Sequence, residues 1–238
     1  YKVLTKNYTL LENALEIARC QKNLKKFVFA STSEVYAGTL INYGLKFPTP
    51  ESTPLTVSDL SENRTSYMLS KIYGEAMCLH SGLATTIIRP HNFYGPRMGL
   101  SHVIPELMKK IVECKSNRLD VYSVNHKRTF CYILDAVSAI QMLAESKNSI
   151  GKVYNIGCDD EEVAMGELSE KMIKMIGKRL DVNPLPATHG SPERRCPSIE
   201  KLKEETQFKR KFSLDEGLQE TYNWYKANIF SGKEKSAQ

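Results

Sequence analysis

The sequence predicts an α/β protein built on a parallel sheet with flanking helices. Three observations predict it. Short apolar runs rich in β-branched or aromatic residues, FVFA, TTII and KVYNIG, read as buried parallel strands. Stretches of helical periodicity separate them, as crossover units require. Small polar residues and Gly/Pro turns follow the first two runs, at the carboxyl ends where open α/β sheets bind ligands.

The elements follow in order. KVLTKNYTLLENALEIA predicts a helix over about 5–21, leading into a strand over about 27–31. The stretch of about 36–63 contains FPTPESTPLTVSD, with too many prolines to continue any element, and reads as a long loop. An amphipathic helix over about 64–81 and a strand over about 84–89 complete a βαβ unit. After Pro96 the pattern changes. HVIPELMKKIVECK predicts a helix and RLDVYSV a short strand. TFCYILDAVSAIQMLAES predicts a strand or turn and then a helix capped by Asp135. KVYNIG predicts another strand near 152–156; GELSEKMIKMIGK is a helix with a glycine stop, SLDEGLQETYNWYKANI the last helix, and 231–238 a disordered tail.

Composition narrows the function. The 238 residues are 41% hydrophobic and 25% charged, ordinary for a globular protein. Net charge is +6, with no basic block interleaved with aromatics, so a nucleic-acid partner is not expected. Six widely spaced cysteines form no CxxC, and five isolated histidines form no HExxH, so no metal site is expected. Reduced cysteines fit a cytoplasmic protein. No apolar run approaches the length needed to cross a bilayer.

Tyr67 and Lys71 stand four apart in TSYMLSK, on one face of the expected helix. A cation beside a phenol favours the phenolate, and such a phenol can take a proton from an alcohol. Upstream, Ser31, Thr32 and Ser33 follow the FVFA strand, with Thr32 placed to bond a substrate hydroxyl.

STSEVY, then YMLSK, then RPHNFYGPRM, in this order, resembles the extended short-chain dehydrogenase/reductase family, and more narrowly its nucleotide-sugar epimerases, dehydratases and decarboxylases. The similarity runs from about Asn7 to about Tyr225. The resemblance implies a partial Rossmann-type parallel sheet plus a small α/β C-terminal substrate-binding region. Residues 1–96 would be the later part of the cofactor domain, and 97–230 mainly the sugar-nucleotide region, with the strand near 152–156 returning to the main sheet. It implies NAD as cofactor and a nucleotide sugar as substrate. Tyr67 matches the base, Thr32 the residue bonding the reacting hydroxyl, and Lys71 the lysine that holds the nicotinamide ribose and makes the tyrosine a better base. Ser31, Pro90, His91 and Asn7 fall on the cofactor side, and Glu34 beside the catalytic set. Ser33 and Asn92 fall on the substrate side; Val121 and Tyr122 would line the base, and Arg128 and Arg195 (or Arg194) would hold the diphosphate. The family sets glycines in the turn before Arg128, whereas SVNHK has none, so a different turn is expected. The family's Gly-rich GxxGxxG does not occur in the sequence. A chain truncated at its N-terminus by on the order of 80 residues, binding NAD weakly or not at all, is therefore expected.

A 4,6-dehydratase needs an acid/base pair after the threonine, usually Asp-Glu; here Ser33-Glu34 stands there, which disfavours dehydration. Two enzyme readings remain: a 4-epimerase, and a UDP-glucuronate decarboxylase-like enzyme, whose pattern Arg64, Ser33, Glu34 and Met98 fit. A third, of another class, is an inactive fragment serving as a binding or dimerisation module. The resemblance also implies a homodimer through the helix bearing Tyr67 and Lys71.

Overall fold

The computed structural model describes residues 1–188 and 191–231, so the expected tail lies almost wholly outside the described residues. The chain runs α1 (Lys2–Arg19), β1 (Phe27–Ala30), a 3-10 turn (Ser33–Tyr36), α2 (Ala37–Tyr43), α3 (Thr65–Leu79), β2 (Thr85–Pro90), β3 (Phe93–Tyr94) and α4 (Val103–Glu113). It continues through β4 (Arg118–Tyr122), β5 (Lys127–Thr129), β6 (Cys131–Tyr132), α5 (Ile133–Glu145), β7 (Lys152–Ile156), β8 (Glu162–Ala164) and α6 (Met165–Ile176). It ends with β9 (Asp181–Leu185), β10 (Arg194–Arg195), α7 (Glu200–Thr206), α8 (Leu214–Tyr225) and a π-helical turn (Lys226–Phe230).

Two compact units form. The first comprises 1–91, 136–159 and 196–209. Its sheet has the order β1-β2-β7, all parallel, with Phe29 beside Ile87 and Ile87 beside Val153. Leu11 and Leu15 of α1, Cys78 of α3 and Ile87 of β2 form a small core against Phe27, Phe29 and Val153. The helix α3 approaches β1 closely at Gly74, where an added Cβ would lie 2.6 Å from the Phe29 ring. Lys26, just before β1, donates to Leu143 O (2.7 Å), Ser149 Oγ (2.7 Å) and Ser146 O at the end of α5. An ammonium there satisfies carbonyls the helix leaves open.

The second unit comprises 92–135, 160–195 and 210–238, as far as these are described. Its core gathers Ile104, Leu107, Met108 and Ile111 of α4, Leu168 and Met172 of α6, and Leu214 and Leu218 of α8. Parallel pairing joins β4 to β9, and the order β10-β5-β8 makes a small sheet. Gly177, at φ 80°, stops α6 as expected. Ser213 caps α8, its hydroxyl accepting from Glu216 N at 3.3 Å.

Two expectations are corrected. The long loop over 36–63 contains α2, which lies so near the chain that a Cβ at Gly38 would stand 1.9 Å from Thr56 O. Asp135 does not cap α5; that helix begins at Ile133, and the carboxylate accepts from Lys211 N (2.9 Å) and Phe212 N (3.2 Å). Besides β7, the first unit takes in most of α5 and the segment 196–209.

Candidate functional site

In the first unit, α3 brings Tyr67 and Lys71 together. The Lys71 ammonium lies 5.9 Å from the Tyr67 ring centroid and 5.1 Å from that of Phe29. It donates to Ala30 O at 2.8 Å, tying α3 to the carboxyl end of β1. Burial holds the Lys71 pKa below its ordinary value, opposed by Cys78. Tyr67 is 38% exposed, so its side chain remains reachable from solvent. Asn7 of α1 donates to Ser70 Oγ (2.9 Å), and Ser70 donates to Tyr67 O (2.7 Å). Asn7 thus braces the turn of α3 that carries Tyr67.

Thr32 is extended and half-buried, and its hydroxyl accepts from Glu34 N at 3.3 Å, capping the 3-10 turn. That turn packs against α3. Ser33 is buried and Glu34 half-buried. Pro90 ends β2, and His91 N donates to Ile156 O at 2.8 Å.

Beneath these residues runs a buried polar chain that the sequence reading missed. Ser31 Oγ donates to Glu75, and Glu75 receives Arg89 through two contacts of 2.9 and 2.6 Å. Arg89 also donates to Tyr36 OH (2.7 Å), which donates to Asn155 Oδ1 (2.9 Å). His91 Nε2 is 3.1 Å from the same oxygen. The network crosses β1, β2, β7 and α3 at the sheet's carboxyl end. Burial opposes the Arg89 charge, but Glu75 and Tyr36 hold its pKa above the ordinary value. Ser31 and the His91 ring are engaged in this internal network. Two signals stood in the sequence: Glu75 continues the Tyr67, Lys71 face at i+4, and Arg89 interrupts an apolar strand.

The second unit contains a cavity of about 300 Å³ whose lining includes Asn92, Val121, Tyr122, His126 and Arg128. Asn92 takes the left-handed conformation (φ 45°) and donates to Thr129 O at 2.8 Å. Val121 is buried and Tyr122 is 53% exposed. Arg128 donates to Ser191 Oγ (3.2 Å) and to Pro192 O. The glycine-free turn closes because Ser123 itself takes φ 55°, with His126 N donating to Ser123 O at 2.8 Å. Arg195 pairs in register with Arg128, so both stand on one face of their sheet. Arg194 is held by Glu162 at 2.7 and 2.9 Å. Among the described residues no group of His, Cys, Asp and Glu could hold a metal ion.

The sequence profile of the NAD dependent epimerase/dehydratase family matches residues 1–157, and the chain belongs to that family. Its Rossmann-like α/β fold and its cofactor, NAD, follow from that membership. The chain is 32% identical over 239 residues to UDP-N-acetyl-alpha-D-glucosaminuronate decarboxylase of Bacillus cytotoxicus, covering 94% of this chain and 70% of that one. It is 29% identical to UDP-D-apiose/UDP-D-xylose synthase 2 of Arabidopsis thaliana over 72% of this chain and 51% of that one. UDP-glucuronic acid 4-epimerase from Bacillus cereus, solved with UDP-glucuronic acid and NAD, superposes with a TM-score of 0.78 at 27% identity, over 93% of this chain and 67% of that one. The chain therefore spans between about half and 70% of these relatives.

The residues in hand fit one end of NAD. A solvent-reachable phenol and an ammonium tied to the carboxyl end of β1, with the Thr32 hydroxyl two residues beyond that strand, suit a nicotinamide riboside. No GxxGxxG stands among the 238 residues, so the pyrophosphate has no such loop in this sequence.

Proposed function

We propose that the chain is a nucleotide-sugar epimerase acting at C4 of the sugar. The observation that carries this is the Tyr67–Lys71 pair tied to the end of β1, just before Thr32. NAD, when bound, would supply reversible hydride transfer at C4. In this reading Tyr67 takes the proton of the C4 hydroxyl and Thr32 hydrogen-bonds that hydroxyl. Lys71 would hold the nicotinamide ribose, and Pro90 and His91 would offer backbone to the carboxamide. Glu34 stands beside the reacting hydroxyl, with Ser33. In the second unit, Asn92, Val121, Tyr122 and Arg128 line the cavity that would take the nucleoside diphosphate, and the register of Arg195 with Arg128 supports a two-arginine diphosphate clamp. A homodimer through α3 and α1 belongs to the same reading, supported by exposed Tyr8 and Tyr73, whose rings lie 5.8 Å apart. So does a cytoplasmic setting, supported by six cysteines without disulfides.

A second reading, a UDP-glucuronate decarboxylase-like enzyme, is favoured by the 32% identical decarboxylase relative and by the Thr32-Ser33-Glu34 sequence. Incubation with UDP-glucuronate and NAD separates the two. Epimerisation yields UDP-galacturonate, whereas decarboxylation yields a UDP-pentose and carbon dioxide. Tyr67→Phe should lower either turnover by about 10²- to 10⁴-fold and leave nucleotide binding intact. Absence of any conversion, with no NAD binding, would leave the dimerisation-module reading standing.

A further inference from the structure

We propose that His126 is a ligand-contacting residue of the second unit's cavity: it hydrogen-bonds a ribose hydroxyl of the bound nucleotide and gives the pocket its preference for ribonucleotides. The proposal rests on the nucleotide-sugar reading and goes beyond the residues that the family resemblance supplies. His126 is 8% exposed and lines the cavity. Its Nδ1 lies 3.4 Å from Ser191 Oγ, the same hydroxyl that accepts from Arg128 at 3.2 Å. The other ring nitrogen has no partner among the described residues and is not sealed from solvent. That nitrogen is free to bond water or a group of a ligand in the cavity that the residue lines.

Its position says which group of a ligand would meet it. Val121 and Tyr122 precede it in the chain on the side read as the base subsite, and Arg128 follows on the side read as the diphosphate subsite. Between a base and a diphosphate stands the ribose. A hydroxyl both donates and accepts, so it matches an imidazole nitrogen in either tautomer. The backbone is fixed on both sides, because His126 N donates to Ser123 O (2.8 Å) and His126 O accepts from Met165 N (3.0 Å). The ring is therefore presented before the ligand arrives, which lowers the ordering cost of binding.

The test is calorimetric titration of the chain with UDP, CDP and GDP, and then with the 2′-deoxy and 3′-deoxy forms of whichever binds. The native chain should lose about 10-fold in affinity toward one deoxy form. His126→Ala should weaken the ribonucleotide by a similar factor and abolish that discrimination, and His126→Gln should recover part of both. Unchanged affinity and unchanged discrimination in His126→Ala overturn the proposal while leaving the nucleotide reading intact. Failure of the native chain to bind any of the three ribonucleotides overturns the nucleotide reading and this proposal with it. Should His126→Ala lower the thermal midpoint, His126→Gln carries the comparison.

Discussion

Replacing Glu75 by glutamine removes one charge from the least solvated part of the first unit. Glu75 is 5% and Arg89 is 4% exposed, and they meet through contacts of 2.9 and 2.6 Å. The amide keeps the shape and one acceptor but leaves the guanidinium buried without its counter-charge. Tyr36 OH and Glu51 O, at 2.7 and 3.3 Å, remain but are neutral acceptors. Breaking one side of such a pair costs about 3–5 kcal/mol. A domain has about 5–15 kcal/mol in total, so this is a large share. The thermal midpoint should fall by roughly 6–20 °C for a chain of this size. Guanidinium unfolding followed by far-UV circular dichroism measures it, as a lower midpoint at unchanged slope. Fluorescence is the wrong probe, because the single tryptophan, Trp224, lies in the other unit. The double variant Glu75→Leu, Arg89→Met removes both charges and should be more stable than Glu75→Gln alone. A Glu75→Gln cost below about 1 kcal/mol would put the pair in the class of solvent-exposed bridges and refute the reasoning.

Lys26→Met should destabilise the first unit by about 2–4 kcal/mol, because it strips a charged donor from Leu143 O, Ser146 O and Ser149 Oγ; urea unfolding measures it. Burial pushes the Cys78 thiol from 9.0 up to about 12, with Glu75 adding and Lys71 opposing. A raised folded value means that the thiol's contribution is complete below pH 9.0 and is lost as pH climbs toward about 12. At 1.36 kcal/mol per pH unit the loss amounts to about 4 kcal/mol at most. Stability measured by denaturant between about pH 8 and 11 should therefore decline, and the decline should be shallower in Cys78→Ala. Equal slopes in both proteins would remove Cys78 as the cause.

The strands and long helices were legible because their signal is local. FVFA is an apolar run and TTII a β-branched one, and β1 and β2 stand there in parallel register; β2 is buried as expected of such a strand, whereas β1 is only half-buried and its last residue, Ala30, is exposed. The helix α3 shows its face within one turn. The short strands β3, β5, β6, β8 and β10 run two or three residues and carry no periodicity to read. The strand β9 contains Pro184, which argues against a strand until its partner β4 is known. The helix α2 is seven residues long, too short to show a face, and it lies against a stretch whose prolines suggest only loop. Asp135 illustrates the same limit from the other side. An aspartate before an apolar periodic run has the composition of a cap, but the N–H groups that satisfy it belong to Lys211 and Phe212, far along the chain.

The candidate site divides along the same line. Tyr67 and Lys71 are joined by helical geometry, so their spacing alone put them together. Nothing local in the sequence distinguishes Arg194 from Arg195; in the fold Arg195 stands beside Arg128 in register, and Glu162 holds Arg194. The buried network shows why such information escapes a one-dimensional reading. Glu75 and Arg89 are 14 residues apart, Tyr36 and Asn155 are 119 apart, and neither separation matches any repeat. What the sequence displayed was the anomaly: a charged residue inside an apolar strand must be paired or neutral. Arg89 demands a carboxylate, and the helix face already carrying Tyr67 and Lys71 supplies one a turn further on. The charge that the strand cannot solvate is thereby fixed to the helix that carries the proposed base, so sheet and helix cannot shift independently without exposing it.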